Sequence, residues 1–185
     1  MKRLTNFCPQ PRTSRSKQWL WLLTCFTILL GGANSYAQVH TSIVGTGTGF
    51  NSPIEFPTPL GNYYWGNKNQ FLVTAGELAA SNMGVNAEIS SVGFNVIDLN
   101  QVPTLENYVV KVYAVSDANP IAVEWYSGTP ITQATVGNFT PASGWNQIEL
   151  DSPFEWDGTS HLIIETCSQN SNWTSDGNAS VEWTS

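Results

Sequence analysis

The chain has 185 residues, within the ~100–200 residues of a typical single domain. Charged residues make up 11%, hydrophobic residues 41% and aromatic residues 12%. That excludes a coiled coil or a charge-driven disordered tail and leaves enough apolar surface for a core. Lys2, Arg3, Arg12, Arg15 and Lys17 hold most of the basic charge, so the rest of the chain sets Lys68 and Lys111 against fourteen acids, a net charge of −12. A body of that sign is repelled by nucleic-acid phosphates and by anionic lipid, which excludes both as partners.

The first element is a leader. The basic stretch precedes the apolar run Trp19–Leu30, then Gly31-Gly32 and Ser35-Tyr36-Ala37, whose small residues suit signal peptidase. Residues 1–37 therefore read as a signal peptide. The run is twelve residues long, short of the ~20 needed to span a bilayer. Two alternatives stay open. One is an uncleaved anchor; the other is lipidation at Cys25, although an acyl anchor needs its cysteine at the end of the apolar run. Cleavage leaves a mature segment from Gln38 of 148 residues, secreted or on the cell surface and not inserted in a membrane. Cys8 and Cys25 depart with the leader, so Cys167 has no intramolecular disulfide partner. Stability must then come from a packed core, and Cys167 reads as a buried small hydrophobe.

Past Gln38 the pattern changes to short alternations. Thr74-Ala-Gly-Glu77 is a capping box that predicts a short helix ending by Ser81–Gly84. Val92, Phe94 and Val96 alternate with polar neighbours, as do Tyr108, Val110, Val112 and Ala114, then Ile148 and Leu150, then Leu162, Ile164 and Thr166. Period two with β-branched and aromatic enrichment predicts half-buried strands. Asp157-Gly158 within Pro153–Thr166 predicts a hairpin, because Asp-Gly supplies the φ > 0 conformers of a tight turn. Ala179–Ser185 reads as a further strand. The fold class that follows is an antiparallel β-sandwich, jelly-roll-like, with one short helix near 74–82. Residues 38–185 form this domain, read as the N-terminal module of a longer protein.

Candidate chemistry is sparse. His161, Glu165 and Cys167 share one strand face. Same-face neighbours lie ~7 Å apart, so the three cannot converge on one zinc ion. Ser160 and His161 are adjacent and point to opposite faces, which argues against a triad with Asp157. His40 is the only other histidine of the segment and lies close to its start. Glu149, Asp151, Glu155 and Asp157 crowd strand ends. A two-carboxylate hydrolase would need a pair ~5–9.5 Å apart, and a structural calcium is the other option for these acids, though no EF-hand spacing is present. No cofactor is expected otherwise.

The aromatic residues are the most suggestive. Tyr63, Tyr64, Trp65, Trp125, Tyr126 and Trp173 are the candidate ligand-binding residues, because exposed rings on a sandwich stack on sugar faces. Each ring also covers 150–250 Å² when buried, which favours a place in the core or its rim. If Tyr63 and Tyr64 are adjacent on a strand, one of them must face outward.

Ile43-Val-Gly-Thr-Gly-Thr48, Thr74-Ala-Gly-Glu-Leu78 and Ile89-Ser-Ser-Val-Gly-Phe-Asn-Val96 combine with a second set further on. That set is Gly144-Trp-Asn-Gln-Ile-Glu-Leu150, Ser152-Pro-Phe-Glu-Trp-Asp-Gly-Thr-Ser160 and Leu162-Ile-Ile-Glu-Thr-Cys167. Together they resemble a β-sandwich module of large secreted proteins from Bacteroidetes-type bacteria. There the module accompanies fibronectin type III-like or Ig-like repeats, with a C-terminal type IX sorting domain. The resemblance covers most of residues 43–183 and implies export across both membranes to the cell surface or medium; it brings no catalytic residues. The expectation is a non-catalytic extracellular module for adhesion or ligand presentation, with an extracellular glycan or protein as partner. The alternative is a carbohydrate-binding module appended to a secreted hydrolase.

Overall fold

A computed structural model describes residues 40–116 and 124–184. The segment read as a leader, with Cys25 and the expected cleavage after Ala37, lies outside them. The elements in chain order are β1 (Gly49–Phe50), β2 (Gly66–Val73), α1 (Ala75–Ala80), β3 (Glu88–Asp98), β4 (Leu105–Val115), β5 (Thr132–Phe139), β6 (Gly144–Glu155), β7 (His161–Gln169) and β8 (Ser180–Trp183). They build two antiparallel four-stranded sheets, sheet I in the order β1-β8-β3-β6 and sheet II in the order β2-β7-β4-β5. First pairs with last, second with seventh, third with sixth and fourth with fifth. This is the nested pairing of an eight-stranded jelly roll, in agreement with the fold class read from the alternation.

The alternating residues meet between the sheets. Val96, Ile148, Leu150 and Val181 of sheet I pack on Tyr108, Val110, Val112, Ala134, Leu162 and Ile164 of sheet II. Burying each such aliphatic side chain contributes about 1.5–3 kcal/mol. Register shifts interrupt the alternation in β3 and β4. The β3–β6 register shifts between Ile89 and Ser91, and the β4–β5 register shifts between Leu105 and Tyr108, where Asn107 has φ 52°. Leu105 and Tyr108 are three apart and both fully buried, which strict period two forbids and an extra residue in the strand permits. The Tyr108 hydroxyl donates to Pro59 O at 3.2 Å, and burial pushes its phenol up.

The capping box forms as expected. Glu77 N donates to Thr74 Oγ1, Thr74 N donates to the Glu77 carboxylate, and Leu78 turns into the core. The ring of His161 also serves the helix, its Nδ1 accepting from Ala75 N at 3.0 Å. That satisfies one of the amide groups a helix start leaves without an intrahelical partner.

The Asp157-Gly158 hairpin is corrected. β6 lies in sheet I and β7 in sheet II, so this segment turns the corner between sheets instead of pairing two neighbours. The cause is Trp156, which is buried in the core and donates through Nε1 to Ser160 O at 2.8 Å. Asp157 then accepts from Thr159 N, Ser160 N and Ser160 Oγ. The bond from the Ser160 hydroxyl, followed by those from the two amides, holds its carboxyl well below the usual range.

One end of the sandwich is tied by buried amides. Asn51 bridges Ala179 O and Val181 N. Asn178 bridges Glu55 O and Tyr63 N, and Asn62 donates to Asn172 O and Thr174 Oγ1. Gly61 is required here, because a Cβ would run into Asn178 Oδ1. Residues 51–65 and 170–179 are thereby stitched into one loop layer at that end.

Candidate functional site

The structure divides the six candidate residues into two groups. Tyr63, Tyr64, Trp65 and Trp173 gather on the stitched loops, and Phe56 joins them. Phe56 stacks on Tyr64 with centroids 5.7 Å apart, and Tyr63 meets Tyr64 edge-on at 4.7 Å. Trp173 meets Tyr63 at 6.3 Å and Trp65 at 6.4 Å. Tyr64, Trp65 and Trp173 are at least half exposed, at 62%, 52% and 51%. Burial in the core is therefore corrected for these three and for the exposed Trp125; of the tryptophans, Trp156 alone is in the core among the described residues. Tyr63 and Tyr64 occupy a turn before β2, not a strand.

The rings do not share a plane. Interplanar angles are 88° for Tyr63–Tyr64, 77° for Tyr63–Trp173 and 51° for Trp65–Trp173. The surface is a faceted cluster, with Trp65 and Trp173 as two inclined walls. Trp65 is held at φ 62°, a conformation that costs a bulky residue about 1–3 kcal/mol. The surrounding backbone sustains it, with Gly66 N donating to Tyr64 O at 2.6 Å and Asn170 N to Trp65 O at 2.7 Å. Backbone strain at an exposed indole is the kind of feature that marks a ligand surface.

Trp125 and Tyr126 lie elsewhere, over the outer face of sheet II. Lys68 Nζ sits 5.3 Å from the Trp125 ring, and Tyr126 meets Tyr113 edge-on at 5.3 Å. The Gln70 amide clasps the Tyr126 backbone from both sides, accepting from Tyr126 N at 2.9 Å and donating to Tyr126 O at 2.8 Å.

At the centre of that face is Glu165, only 2% exposed although it stands on the side of β7 away from the core. Register explains its partners. Gln70 is opposite on β2 and Lys111 opposite on β4, with Lys68 one step along. Lys68 Nζ is 3.1 Å from one carboxylate oxygen and Lys111 Nζ 3.2 Å from the other, while Gln70 Nε2 donates at 2.6 Å. Burial pushes the Glu165 carboxyl up, but the bonds from Gln70, Lys68 and Lys111 outweigh it and hold it below the ordinary range. The bond to Glu165 likewise raises the Lys111 ammonium, and burial followed by the Glu165 charge raises the Tyr113 phenol.

Sequence reasoning put His161, Glu165 and Cys167 on one face, and they are. It did not bring Lys68 and Lys111 to Glu165. The available signal was that the segment's only two cations lie on strand-like stretches at outward positions. Cys167 is half-buried on this outer face opposite Lys68, so its reading as a buried small hydrophobe is corrected.

The four carboxylates do not meet at one place. Glu149 and Asp151 border a shallow groove of about 260 Å³ with Thr135 and Gln147, and Asp151 accepts from Thr135 N and Oγ1. Glu155 is opposite Glu88 across the β3–β6 pair, and Asp157 is engaged in its own turn. Among the described residues no group of three or more His, Cys, Asp or Glu could hold a metal ion, and no helix is long and apolar enough to cross a membrane. No family model, curated protein or solved structure matches the chain.

Proposed function

We propose that the chain is a non-catalytic extracellular ligand-binding module, exported by its N-terminal leader, that takes a glycan on the loop surface of Phe56, Tyr63, Tyr64, Trp65 and Trp173. The observation that carries the reading is Trp65, an exposed indole kept in a strained backbone conformation beside a second exposed indole. Exposed aromatic surface costs solvation, and here buried amides of Asn62 and Asn178 hold it in place. Sugar rings present apolar C–H faces to such indoles and hydroxyls to the neighbouring polar groups. Inclined walls suit a chain gripped from two sides better than a flat crystalline surface. Adhesion and ligand presentation at the cell surface, in the manner of the secreted multidomain proteins the sequence resembles, are the setting in which such binding would act.

The test is a thermal-shift panel of soluble glycans on the purified protein, with and without calcium. A ligand at 100 times its Kd stabilises by about 2.7 kcal/mol, which for a domain of this size raises Tm by about 5–10 °C. The expected result is a rise with at least one glycan that is lost in Trp65→Ala/Trp173→Ala. A flat response to all glycans, or a rise with a neutral glycan that survives the double substitution, overturns the reading.

A further inference from the structure

We infer that the outer face of sheet II is a second saccharide contact specific for an acidic sugar, its carboxylate held by Lys68 and Lys111 and its ring by Trp125. This rests on the glycan-binding reading and adds the chemical class of the ligand.

Beyond the leader the chain has two cations, and both converge on one carboxylate, at 3.1 and 3.2 Å. Neutralising Glu165 requires one lysine, so the cluster carries a surplus positive charge on an otherwise acidic body. Stability alone is a weak reason for it, since replacing a buried ion pair or triad by apolar residues is often neutral or stabilising. Both lysines remain accessible, with side chains 46% and 35% exposed, while Glu165 lies beneath them at 2%. Each ammonium has three donors, and the contact with Glu165 leaves others for an incoming anion. Glu165 therefore positions two ammonium groups side by side.

The aromatic half of the contact is also fixed. Lys68 covers part of the Trp125 ring, yet Trp125 is still 54% exposed, leaving indole surface beside the charge. The clasp of Gln70 on the Tyr126 backbone and the edge contact of Tyr126 on Tyr113 set where Trp125 sits. A hexuronate presents this pairing of a carboxylate next to an apolar ring face. The acidic remainder of the surface disfavours such a ligand elsewhere, which gives the contact its orientation. Exposed charges more than ~8 Å away are largely screened at physiological salt, so the local lysine pair decides the affinity.

The experiment is calorimetric titration of the purified protein with a galacturonate trisaccharide and with neutral galactotriose, at 0.15 M salt. The wild type is compared with Lys68→Met, Lys68→Arg and Trp125→Ala. The expected result is binding of trigalacturonate that weakens about tenfold or more in Lys68→Met, as loss of a charge-assisted hydrogen bond implies. It should weaken similarly in Trp125→Ala and persist in Lys68→Arg, whose unchanged Tm beside that of Lys68→Met controls for folding. Galactotriose should bind more weakly and be indifferent to residue 68. Equal affinity for the two trisaccharides, or trigalacturonate binding untouched by Lys68→Met, overturns this inference and leaves the glycan reading standing. Failure of trigalacturonate to bind overturns it as well, and if no glycan raises Tm in the panel above, the broader reading falls separately.

Discussion

Replacing Glu165 by Gln keeps the shape of the side chain and removes its charge. The wild-type carboxylate receives Lys68 at 3.1 Å, Lys111 at 3.2 Å and the Gln70 amide at 2.6 Å. Were all partners buried, breaking the ion pairs would cost about 3–5 kcal/mol. The lysine side chains are 46% and 35% exposed, so each ion pair is discounted for solvent to about 0.2–1 kcal/mol. Converting the Gln70 bond from a charged to a neutral acceptor removes about another 1 kcal/mol. The sum is about 1–3 kcal/mol, or a Tm lowered by about 2–12 °C at pH 7. The pH dependence supplies the sign. Glu165 is held below its ordinary value of 4.5, so its contribution is complete above that pH and is lost as pH falls through the lower folded value. Thermal melts of the two proteins by circular dichroism should thus differ at pH 7 and converge in acid. Coincident melts at pH 7, or a gap that widens in acid, would refute the reasoning.

Trp65→Gly removes the strain at φ 62°, worth about 1–3 kcal/mol, and should leave Tm equal or higher while abolishing glycan binding; a lower Tm would show the indole to be structural. Thr74→Ala removes the cap on α1 and should cost about 1 kcal/mol, measured by urea denaturation. In base, Tyr108 and Tyr113 are raised above 10.0 and Lys111 above 10.5. Their contributions are complete below those values and decline above them, so stability measured by urea denaturation should begin to fall above about pH 10. A Tyr108→Phe variant should show a shallower decline.

Much of the fold was legible because β3, β4, β6 and β7 alternate their inward residues over most of their length and because Thr74 and Glu77 spell out the helix start. β2 was not, since its first inward positions are Asn67 and Asn69, which both donate to Thr58 O deep in the sandwich. Phe71-Leu72-Val73 then follows as an unbroken apolar run, so no alternation shows. The corner at Asp157-Gly158 has the local chemistry of a hairpin, and only the burial of Trp156 between sheets distinguishes the two. For the candidate site, residue type singled out Tyr63, Tyr64, Trp65 and Trp173, which the structure gathers on one loop surface. Exposure could not be read, because a turn at positive φ decides it for Trp65. The convergence of Lys68, Lys111 and Gln70 on Glu165 depends on which strands are neighbours, and β2-β7-β4 adjacency is a long-range property of the jelly roll that no local pattern contains.

The most direct test of glycan binding at the aromatic end follows the indole N–H signals by NMR during titration with the glycan that raises Tm most. Beyond residue 37 there are six, from Trp65, Trp125, Trp145, Trp156, Trp173 and Trp183. The expected result is that Trp65 and Trp173 shift together with one Kd, while Trp156, bonded to Ser160 O in the core, stays fixed. Trp65 and Trp173 unmoved at saturation, with the shifts confined to Trp145 and Trp183 on sheet I, would contradict it.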